Sequence, residues 1–419
     1  MGRWRNGAIL ALAGVLLVAA CAGRKAGPPI QPLPEACEEH RPDLTVEQLL
    51  EDYDEMWQII QQNYPLMGVV QRTYPDVDIE RVWQAYRNTI ASMAGRPFTA
   101  EKKNAVFEGA VQAALRELGG QGHLWYVDAE NYSHYAEVYY QVAAAPPCAY
   151  DYAQLRRPES VAWYGYQPGP LGAAEDRQVK SSLEMNVEDG VAVIRVPSFD
   201  LSAMAADRPV WRQFYKKAQG CHDMVIDIRG NPGGSTLYWK ELIAGPNIKE
   251  PTKVEQVRLV RGQAAIGYQT LTGDSYYPIE EYHLRPKDNE EDVGQMTGFF
   301  VETQVIEPTT DKPAFAGRIW ILVDQRVYSA SEGFANWCKS TGFATLVGQP
   351  TGGDGMGTDP QVFSLRHTGL CFRFSSALGL NPDGGSNEEF GTVPDVWTEQ
   401  GQDAMQACME KLAALGEGG

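Results

Sequence analysis

After its first 44 residues the chain places hydrophobic side chains three and four positions apart, which is the spacing of an amphipathic helix. Thr45 begins the first such stretch, and with Gln48 three residues later it is suited to a capping box. Pro65 ends the pattern. Two more helices follow the same spacing, at about 77–93 and 99–118. We therefore expect a helical N-terminal domain over residues 40–125.

A different pattern starts near residue 186, where short apolar runs of strand length alternate with helical stretches. The predicted strands lie at 190–199, 223–230, 318–324 and 343–348. Such alternation predicts an α/β core with parallel strands, and we expect it over residues 186–410. Residues 126–185 connect this core to the helical domain.

An insertion interrupts the predicted core between its second and third strands. Ninety-four residues separate Gly234 from Ser329, which is more than one crossover connection needs. The insertion, residues 235–317, includes the acidic and aromatic stretch GDSYYPIEEYHLRPKDNEED. A flap over a site, a substrate-sensing edge and a plain surface excursion are all compatible with it.

Residues 1–20 have the organisation of a signal peptide, with arginines first and then an apolar run of 13 residues that is too short to span a bilayer. LVAAC, which ends at Cys21, resembles a bacterial lipobox, in which the cysteine is lipidated and becomes the first mature residue. A plain secretory signal is the alternative. Residues 21–39 have the proline and glycine content of a tether. We expect a protein of the bacterial cell envelope, on its periplasmic or extracellular face, held to the membrane by a lipid anchor.

Composition indicates a globular core and an acidic surface. The 419 residues are 43% hydrophobic and 10% aromatic, and the net charge at pH 7 is -18. Removal of Arg3 and Arg5 with the signal peptide makes the charge -20. Because phosphate binding needs a basic face, this charge argues against nucleic acid as a partner.

Six cysteines remain after Cys21, and an oxidising compartment permits up to three disulfides among them. They stand at positions 37, 148, 221, 338, 371 and 408. Cys338 lies in an apolar helical stretch, so a buried free thiol is equally compatible with its position. The spacing matches no C-x-x-C metal site, and no metal or other cofactor is expected.

Candidate chemistry begins with VYSASEGFANW, residues 327–337, which follows a predicted buried strand and opens a helix. A serine there lies near the positive end of the helix dipole, where a developing anion is stabilised. Helix capping is the alternative role of such a hydroxyl. DIRGNPGG, residues 227–234, follows another strand and offers glycine amides that can approach a substrate closely. Two such loops at the carboxyl ends of adjacent strands predict one pocket.

Four stretches of the chain resemble, in their order, the core of the tail-specific (C-terminal processing) serine peptidase family. They are DIRGNPGG, VYSASEGFANW, ATLVGQPTGG and EEFGTVPDVW. This family includes the tricorn protease core and the retinoid-binding modules of the photoreceptor matrix. The resemblance covers about residues 185–400 and implies a crotonase-like α/β core, a ββα spiral. It also implies peptide hydrolysis through an acyl-serine intermediate, with Ser329 as the nucleophile and Ser331 as a capping or packing residue.

The chain departs from the processing branch of that family, which pairs its serine with a lysine in a downstream Gly-Lys-Gly turn. The turn here is Gly353-Asp354-Gly355. An aspartate cannot act as a neutral-amine base, and Lys339 lies about 15 Å from the serine along the helix. We therefore expect no Ser/Lys dyad.

Histidine is the usual alternative base. LGGQGHLWYV, which contains His123, resembles the Gly-His segment of the tricorn-like branch, although that branch more often has Asp where Gln121 stands. A histidine that only holds a turn is the alternative. Glu388 occupies the position that resembles the family's glutamate, with Glu389 as its competitor. The resemblance thus implies a Ser/His/Glu site made of Ser329, His123 and Glu388.

Backbone amides would hold the oxyanion, and we expect those of Ala330 and Gly233, with Gly234 as a close alternative. The resemblance suggests peptides or unfolded protein segments as substrates. Residues 128–185 are too few for the PDZ module that the processing branch uses, so we expect short peptides that enter beneath the 235–317 insertion. The rival interpretation is a catalytically silent, lipid-anchored protein that binds a peptide or a hydrophobic ligand in the same cleft.

Overall fold

A computed structural model describes residues 41–142, 148–166, 180–271, 273–399 and 401–416. The predicted signal peptide, the lipidation site Cys21 and the tether all lie outside these ranges, so the lipid anchor stays a prediction. Within the ranges, no helix is both long enough and apolar enough to cross a membrane.

Three of the four N-terminal helices form where the hydrophobic spacing predicts them, and the short helix over residues 67–73 was not predicted. Thr45 Oγ1 accepts a hydrogen bond from the amide of Gln48 at 3.2 Å, and Gln48 Oε1 accepts one from the amide of Thr45 at 3.0 Å, which confirms the capping box. Tyr53, Met56 and Ile60 are fully buried, so the apolar stripe of the first helix faces a core. The helices are α1 (Val46–Asn63), α2 (Met67–Thr73), α3 (Ile79–Ala91) and α4 (Ala100–Glu117).

The connecting segment is mostly helical in its described part. It contains β1 (Trp125–Tyr126), α5 (Ala129–Val142), α6 (Cys148–Leu155) and α7 (Pro158–Tyr164). The hydroxyl of Tyr164 accepts a hydrogen bond from the amide of Cys371 at 2.9 Å and donates one to the carbonyl of Val127 at 2.8 Å. These helices are therefore fixed to the last third of the chain.

The remaining elements alternate strands with helices. Before the insertion come β2 (Glu184–Glu188), β3 (Val191–Arg195), α8 (Met204–Lys217) and β4 (Asp223–Asp227). The insertion forms α9 (Thr236–Trp239), a π-helical turn (Lys240–Ala244), α10 (Gly245–Asn247), β5 (Thr252–Val260), α11 (Gly262–Thr270), β6 (Ser275–Pro278), α12 (Glu290–Gly294) and β7 (Gly298–Ile306). After it come β8 (Arg318–Val323), α13 (Ala330–Thr341), β9 (Thr345–Gly348), β10 (Gln361–Ser364), β11 (Cys371–Phe374), β12 (Ala377–Gly379), α14 (Asn387–Phe390), β13 (Val396–Trp397) and α15 (Ala404–Gly416).

The central sheet has the strand order β13-β9-β8-β4-β3-β2. Its first five strands are parallel and β2 is antiparallel to β3, which confirms the α/β prediction with parallel strands. α8 and α13 cover one face with Trp211, Phe214, Phe334 and Trp337, whereas α15 covers the other face with Cys408 among its buried residues. Because β4 and β8 are adjacent and parallel, the loops that follow them leave the same edge of the sheet.

The insertion builds a second, antiparallel sheet in the order β12-β5-β7-β6. β12 lies outside the insertion in sequence, so this sheet is joined to the end of the core. Nε of Arg258, on β5, donates a hydrogen bond to the carbonyl of Met356 at 3.3 Å. The insertion therefore borders the loop after β9, and its role as a flap stays a prediction.

The helical region shares its core with the last third of the chain. β1, β11 and β10 form a third sheet in that order, and the ring of Tyr64 meets that of Phe374 edge-on with centroids 5.4 Å apart. One hydrophobic cluster contains buried residues of α1, α4 and β11 alike. The described N-terminal helices are thus packed as part of the same body as the third sheet.

Four of the six cysteines after Cys21 are unpaired thiols, namely Cys221, Cys338, Cys371 and Cys408. Three disulfides are therefore excluded, and the interpretation of Cys338 as a buried free thiol is confirmed. Cys37 lies outside the described residues.

Removal of the Asp52 carboxylate should test this shared core. Asp52 is fully buried on α1 and accepts hydrogen bonds from the amides of His367 and Thr368 at 2.9 and 2.7 Å, and from the Thr368 hydroxyl at 2.6 Å. We expect Asp52→Ala to lower the free energy of unfolding by about 3 kcal/mol, because it leaves buried donors unpaired. Urea unfolding followed by circular dichroism and by tryptophan fluorescence measures this in one transition.

Asp54→Ala is the matched control on the same helix. Asp54 pairs at the surface with Arg87, so its loss should lower the free energy of unfolding by less than about 1 kcal/mol. Equal effects of the two substitutions, or a separate early transition for the helices, would contradict a shared core.

Candidate active site

Ser329 lies at the junction between the loop after β8 and the start of α13. Its backbone has φ 56° and ψ −126°, a region that residues other than glycine rarely adopt. The side chain makes no capping hydrogen bond, so helix capping is not the role of this hydroxyl. Half-buried and without a hydrogen-bond partner among the described residues, the hydroxyl is free for another role.

Ser331, two residues later, is fully buried and bonded to backbone on two segments. Its hydroxyl accepts a hydrogen bond from the amide of Tyr328 at 3.1 Å and lies 2.7 Å from the carbonyl of Asn231, to which it can donate. The side chain therefore ties the first turn of α13 to the glycine loop, residues 230–234. This contact suits the capping or packing role that the resemblance implies.

The glycine loop lies directly against Ser329. A Cβ atom on Gly233 would lie only 2.8 Å from Cβ of Ser329 and 3.0 Å from the amide nitrogen of Ala330, so the close approach requires glycine. The amide of Gly233 already donates to Oδ1 of Asn231 at 2.9 Å. The amides of Gly234 and Ala330 donate to no described residue. The geometry thus favours Gly234 over Gly233 as the second oxyanion donor.

His123 ends a short 3₁₀ turn that runs from Gln121, and its backbone also has a positive φ of 56°. Its Nδ1 contacts Oδ2 of Asp354. The imidazole centroid lies 5.4 Å from that of the ring of Tyr328, the residue before the serine. Because Nδ1 lies beside a carboxylate oxygen, a neutral imidazole with its proton on Nδ1 would keep the lone pair on Nε2.

Asp354 is the site residue that the sequence reasoning missed. Its side chain is 3% exposed, and the residue adopts φ 58°. The preceding Gly353 accepts a hydrogen bond from the amide of Ser329 at 3.1 Å, so one short loop touches both the serine and the histidine. From the sequence, the Gly353-Asp354-Gly355 turn indicated only that this position carries no lysine base. An acid between two glycines, soon after the predicted strand at 343–348, was the available signal.

Glu388 stands at the start of α14 on the other side of Asp354. Its Oε1 accepts hydrogen bonds from the amide of Gly122 at 2.8 Å and from the hydroxyl of Tyr328 at 3.4 Å. Burial, followed by the charge of Asp354, raises the pKa of Glu388 well above its usual range. The structure therefore places Glu388 beside Asp354 and next to the histidine turn.

Glu389, the competitor of Glu388, faces elsewhere. Its carboxylate forms an ion pair with Arg72 of α2 at 2.7 Å, and Arg72 also pairs with Asp292 of the insertion at 2.6 Å. The structure thus brings Glu388, and not Glu389, to the candidate site.

Glu332 is a second buried acid beneath the site. Its Oε1 accepts hydrogen bonds from Nδ2 of Asn387 and from the hydroxyl of Thr392, both at 2.6 Å. Asn387 in turn accepts a hydrogen bond from the amide of Gly355 at 2.9 Å. Glu332 therefore connects the helix of Ser329 to the two loops that carry Asp354 and Glu388.

The titration of the Glu332 carboxyl should be visible in the pH dependence of the free energy of unfolding. Burial raises its pKa to about 7 from the ordinary 4.5, so between these values the folded chain holds a proton that the unfolded chain has released. This contribution to stability is complete below pH 4.5 and is lost as the pH rises through about 7. Glu332→Gln lacks the titration. We expect the variant to gain roughly 3 kcal/mol relative to wild type between pH 4 and pH 8.

Thermal unfolding across this pH range measures the difference. Glu410→Gln, at an exposed position on α15, is the control and should run parallel to wild type. A constant gap between Glu332→Gln and wild type at every pH would show that Glu332 does not titrate in this window.

Backbone strain at Ser329 should be visible without any assay of activity. Glycine adopts the φ and ψ of this residue without a steric penalty, whereas alanine does not, so Ser329→Gly should be more stable than Ser329→Ala by about 1 kcal/mol. Ser340, exposed near the end of α13, supplies the matched pair. There glycine should be less stable than alanine by about 0.5–1 kcal/mol. The same order at both positions, measured by chemical denaturation, would disprove the strain.

Comparison with known proteins gives a family match for part of the chain. Residues 190–398, just under half of the chain, match the model of Peptidase family S41. His123 lies outside the matched residues. No curated protein matches the chain.

Solved structures give the fold. Mature CPAF complexed with lactacystin is similar at 12% identity and a TM-score of 0.50, covering 88% of this chain and 97% of that one. A candidate peptidase from Parabacteroides merdae ATCC 43184 has 16% identity, a TM-score of 0.49 and coverages of 88% and 96%. The photosystem II D1 C-terminal processing protease has 15% identity and a TM-score of 0.42, and the match covers 85% of this chain and 94% of that one. The first of these shows a shared mixed α/β fold, and the ββα spiral stays a prediction.

Ser329, Asp354 and Glu388 all lie within the residues that match the model of Peptidase family S41.

Proposed function

We propose that the chain is a serine peptidase that hydrolyses peptides through an acyl-serine intermediate. The observation that carries this proposal is the free hydroxyl of Ser329 at a strained helix start. The ring of His123, whose Nδ1 contacts a carboxylate, lies 5.4 Å from that of Tyr328, the residue before the serine. A nucleophile, a base and a group that orients the base are the parts that such hydrolysis needs. The family match of the surrounding residues supports the same reaction class.

The proposed reaction consists of acylation and deacylation, after which Ser329 and His123 have returned to their starting protonation states. Oγ of Ser329 attacks the peptide carbonyl carbon while Nε2 of His123 takes the hydroxyl proton. The carbon–nitrogen bond then breaks, and the imidazolium returns this proton to the leaving amine. Water attacks the acyl-serine, gives one proton to His123 and releases the acid. Ser329 recovers its proton from the imidazolium.

The negative charge on the tetrahedral oxygen needs donors that are already in place. The amides of Ala330 and Gly234 suit this role because neither donates to a described residue. Loss of one such donor lowers turnover by about 10²–10³-fold in comparable sites. The start of α13 adds the favourable end of a helix dipole.

A carboxyl pair, Asp354 and Glu388, supports the imidazolium in this proposal. Neither position considered for a lysine base supplies one, because position 354 is an aspartate and Nζ of Lys339 is paired with Asp395. Besides the peptide and water, the reaction as written uses only side chains and backbone of this chain.

Substrate and location extend the proposal. Short peptides or unfolded segments would reach Ser329 beneath the insertion, whose β5 borders the loop of Asp354. The lipobox-like LVAAC would place the enzyme at the bacterial cell envelope through a lipid on Cys21.

Labelling with a fluorophosphonate tests the nucleophile. The chain from residue 22 should form an adduct on Ser329, located by peptide mass, and Ser329→Ala should abolish it. We expect His123→Ala to reduce the labelling rate by about 10²–10⁴-fold, because the proton acceptor is lost. Ser340→Ala, on the exposed end of α13, is the matched control and should label as wild type does.

An unlabelled Ser329 in a folded, monodisperse sample would contradict the proposal and favour the ligand-binding alternative. Labelling that survives His123→Ala unchanged would refute His123 as the base while leaving the nucleophile in place.

A further inference from the structure

Two carboxyl groups meet in the buried part of the candidate site. Oδ2 of Asp354 contacts Nδ1 of His123. Oε2 of Glu388 is shielded from solvent and has no hydrogen-bond partner among the described residues. Asp354 lies close to it, since a Cβ atom on the neighbouring Gly353 would be only 2.9 Å from Cα of Glu388. Two oxygens of neighbouring carboxyls can share a hydrogen bond only if one of them carries a proton.

Full ionisation of both groups is physically unfavourable here. Like charges in contact and away from water repel strongly, and a pair of adjacent carboxyls therefore retains one proton between them. The location of that proton decides which of the two residues acts directly on the histidine.

The neighbours of each carboxyl differ in charge. Asp354 contacts the imidazole of His123, which becomes positive during the reaction and favours an ionised partner. Oε1 of Glu388 accepts only from neutral groups, the amide of Gly122 and the hydroxyl of Tyr328. The ionised state is therefore stabilised at Asp354, and the proton belongs on Oε2 of Glu388.

We propose that Asp354 is the ionised carboxylate that orients the imidazole of His123, and that Glu388 stands behind it as a neutral acid that donates its proton to Asp354. This inference rests on the proposed function, since it assigns roles within the same site. Both are positioning residues, because they act on the substrate through the histidine. It moves the direct role from Glu388, which the family resemblance implied, to Asp354.

The surrounding titratable groups agree with this arrangement. Burial raises the pKa of Tyr64 and of Tyr328 well above the usual range, so both phenols stay neutral. Glu332 feels the charge of Asp354, and Asp359 feels that of His123. No lysine or arginine is bonded to either carboxyl in the described residues, so His123 is the cation available to Asp354.

The proton assignment predicts opposite effects of two isosteric substitutions. Gln at position 388 keeps a neutral group that can donate to Asp354 and accept from Gly122. Asn at position 354 removes the negative charge from the imidazole. Asp354→Asn should therefore weaken the preference of the His123 proton for Nδ1, and Glu388→Gln should change it little.

Nuclear magnetic resonance measures this without any need for activity. The chain from residue 22 with Ser329→Ala is labelled with ¹⁵N-histidine, and the signal of His123 is identified by its loss in His123→Ala. We expect Asp354→Asn to lower the fraction of the neutral His123 imidazole that carries its proton on Nδ1, and Glu388→Gln to lower it by much less. The reverse order would overturn the proposal, because it would make Glu388 the ionised partner.

Infrared spectroscopy gives a second reading that does not depend on the folding of Asp354→Asn. The difference spectrum of wild type minus Glu388→Gln at pH 8 should contain the carbonyl stretch of a protonated carboxylic acid. A carboxylate band in its place would show that Glu388 is ionised and would overturn the proposal.

Kinetics on a peptide substrate separate this inference from the proposed function. Asp354→Asn should lower kcat/KM by about 10²–10⁴-fold and move its acid limb to lower pH, whereas Glu388→Gln should lower it by no more than about tenfold. A greater loss for Glu388→Gln would contradict the assignment. If Ser329 of the wild-type chain is unreactive, the peptidase proposal is wrong. The magnetic resonance and infrared results then still test the proposed protonation of Asp354 and Glu388.

Discussion

Polar groups that are removed from water must be paired, and around Ser329 this requirement joins four distant parts of the chain. The turn of His123, the start of α13, the Gly353-Asp354-Gly355 loop and the start of α14 each supply groups that the others satisfy. Removing any one of them would leave a buried charge or donor without a partner, at a cost of several kcal/mol. The site is thus held together by contacts between these four parts, while Oε2 of Glu388 has no hydrogen-bond partner among the described residues.

The scaffold explains why these parts meet. Adjacent parallel strands β4 and β8 deliver the glycine loop and Ser329 to one edge of the central sheet. The histidine arrives from the opposite end of the sequence, because the N-terminal helices share a core with β11, and β1, which begins two residues after His123, pairs with β11. Glu332 then fixes the loop of Glu388 to the helix of Ser329 from below.

Local rules carried the sequence reasoning a long way. Helix spacing, the Thr45 capping box and the apolar runs of the strands depend on neighbours along the chain, and the structure has them where the pattern puts them. Ser329, His123 and Glu388 were proposed from resemblance, and the structure gathers their segments around one loop. Asp354 was not predicted because its partner, His123, is far away in sequence. Its Gly-Asp-Gly turn indicated only that a lysine base is absent from this position. The choice between Gly233 and Gly234 depended on an Asn231 side chain whose rotamer no sequence pattern specifies.

The central claim is that Ser329, His123 and two free amides form one acyl-transfer site. A crystal structure of the phosphonate adduct tests it most directly. The account predicts that the phosphoryl oxygen lies about 2.7–3.1 Å from the amide nitrogens of both Ala330 and Gly234, with Nε2 of His123 within hydrogen-bond distance of the adduct. A phosphoryl oxygen directed at solvent, or an imidazole turned away from Ser329, would contradict it.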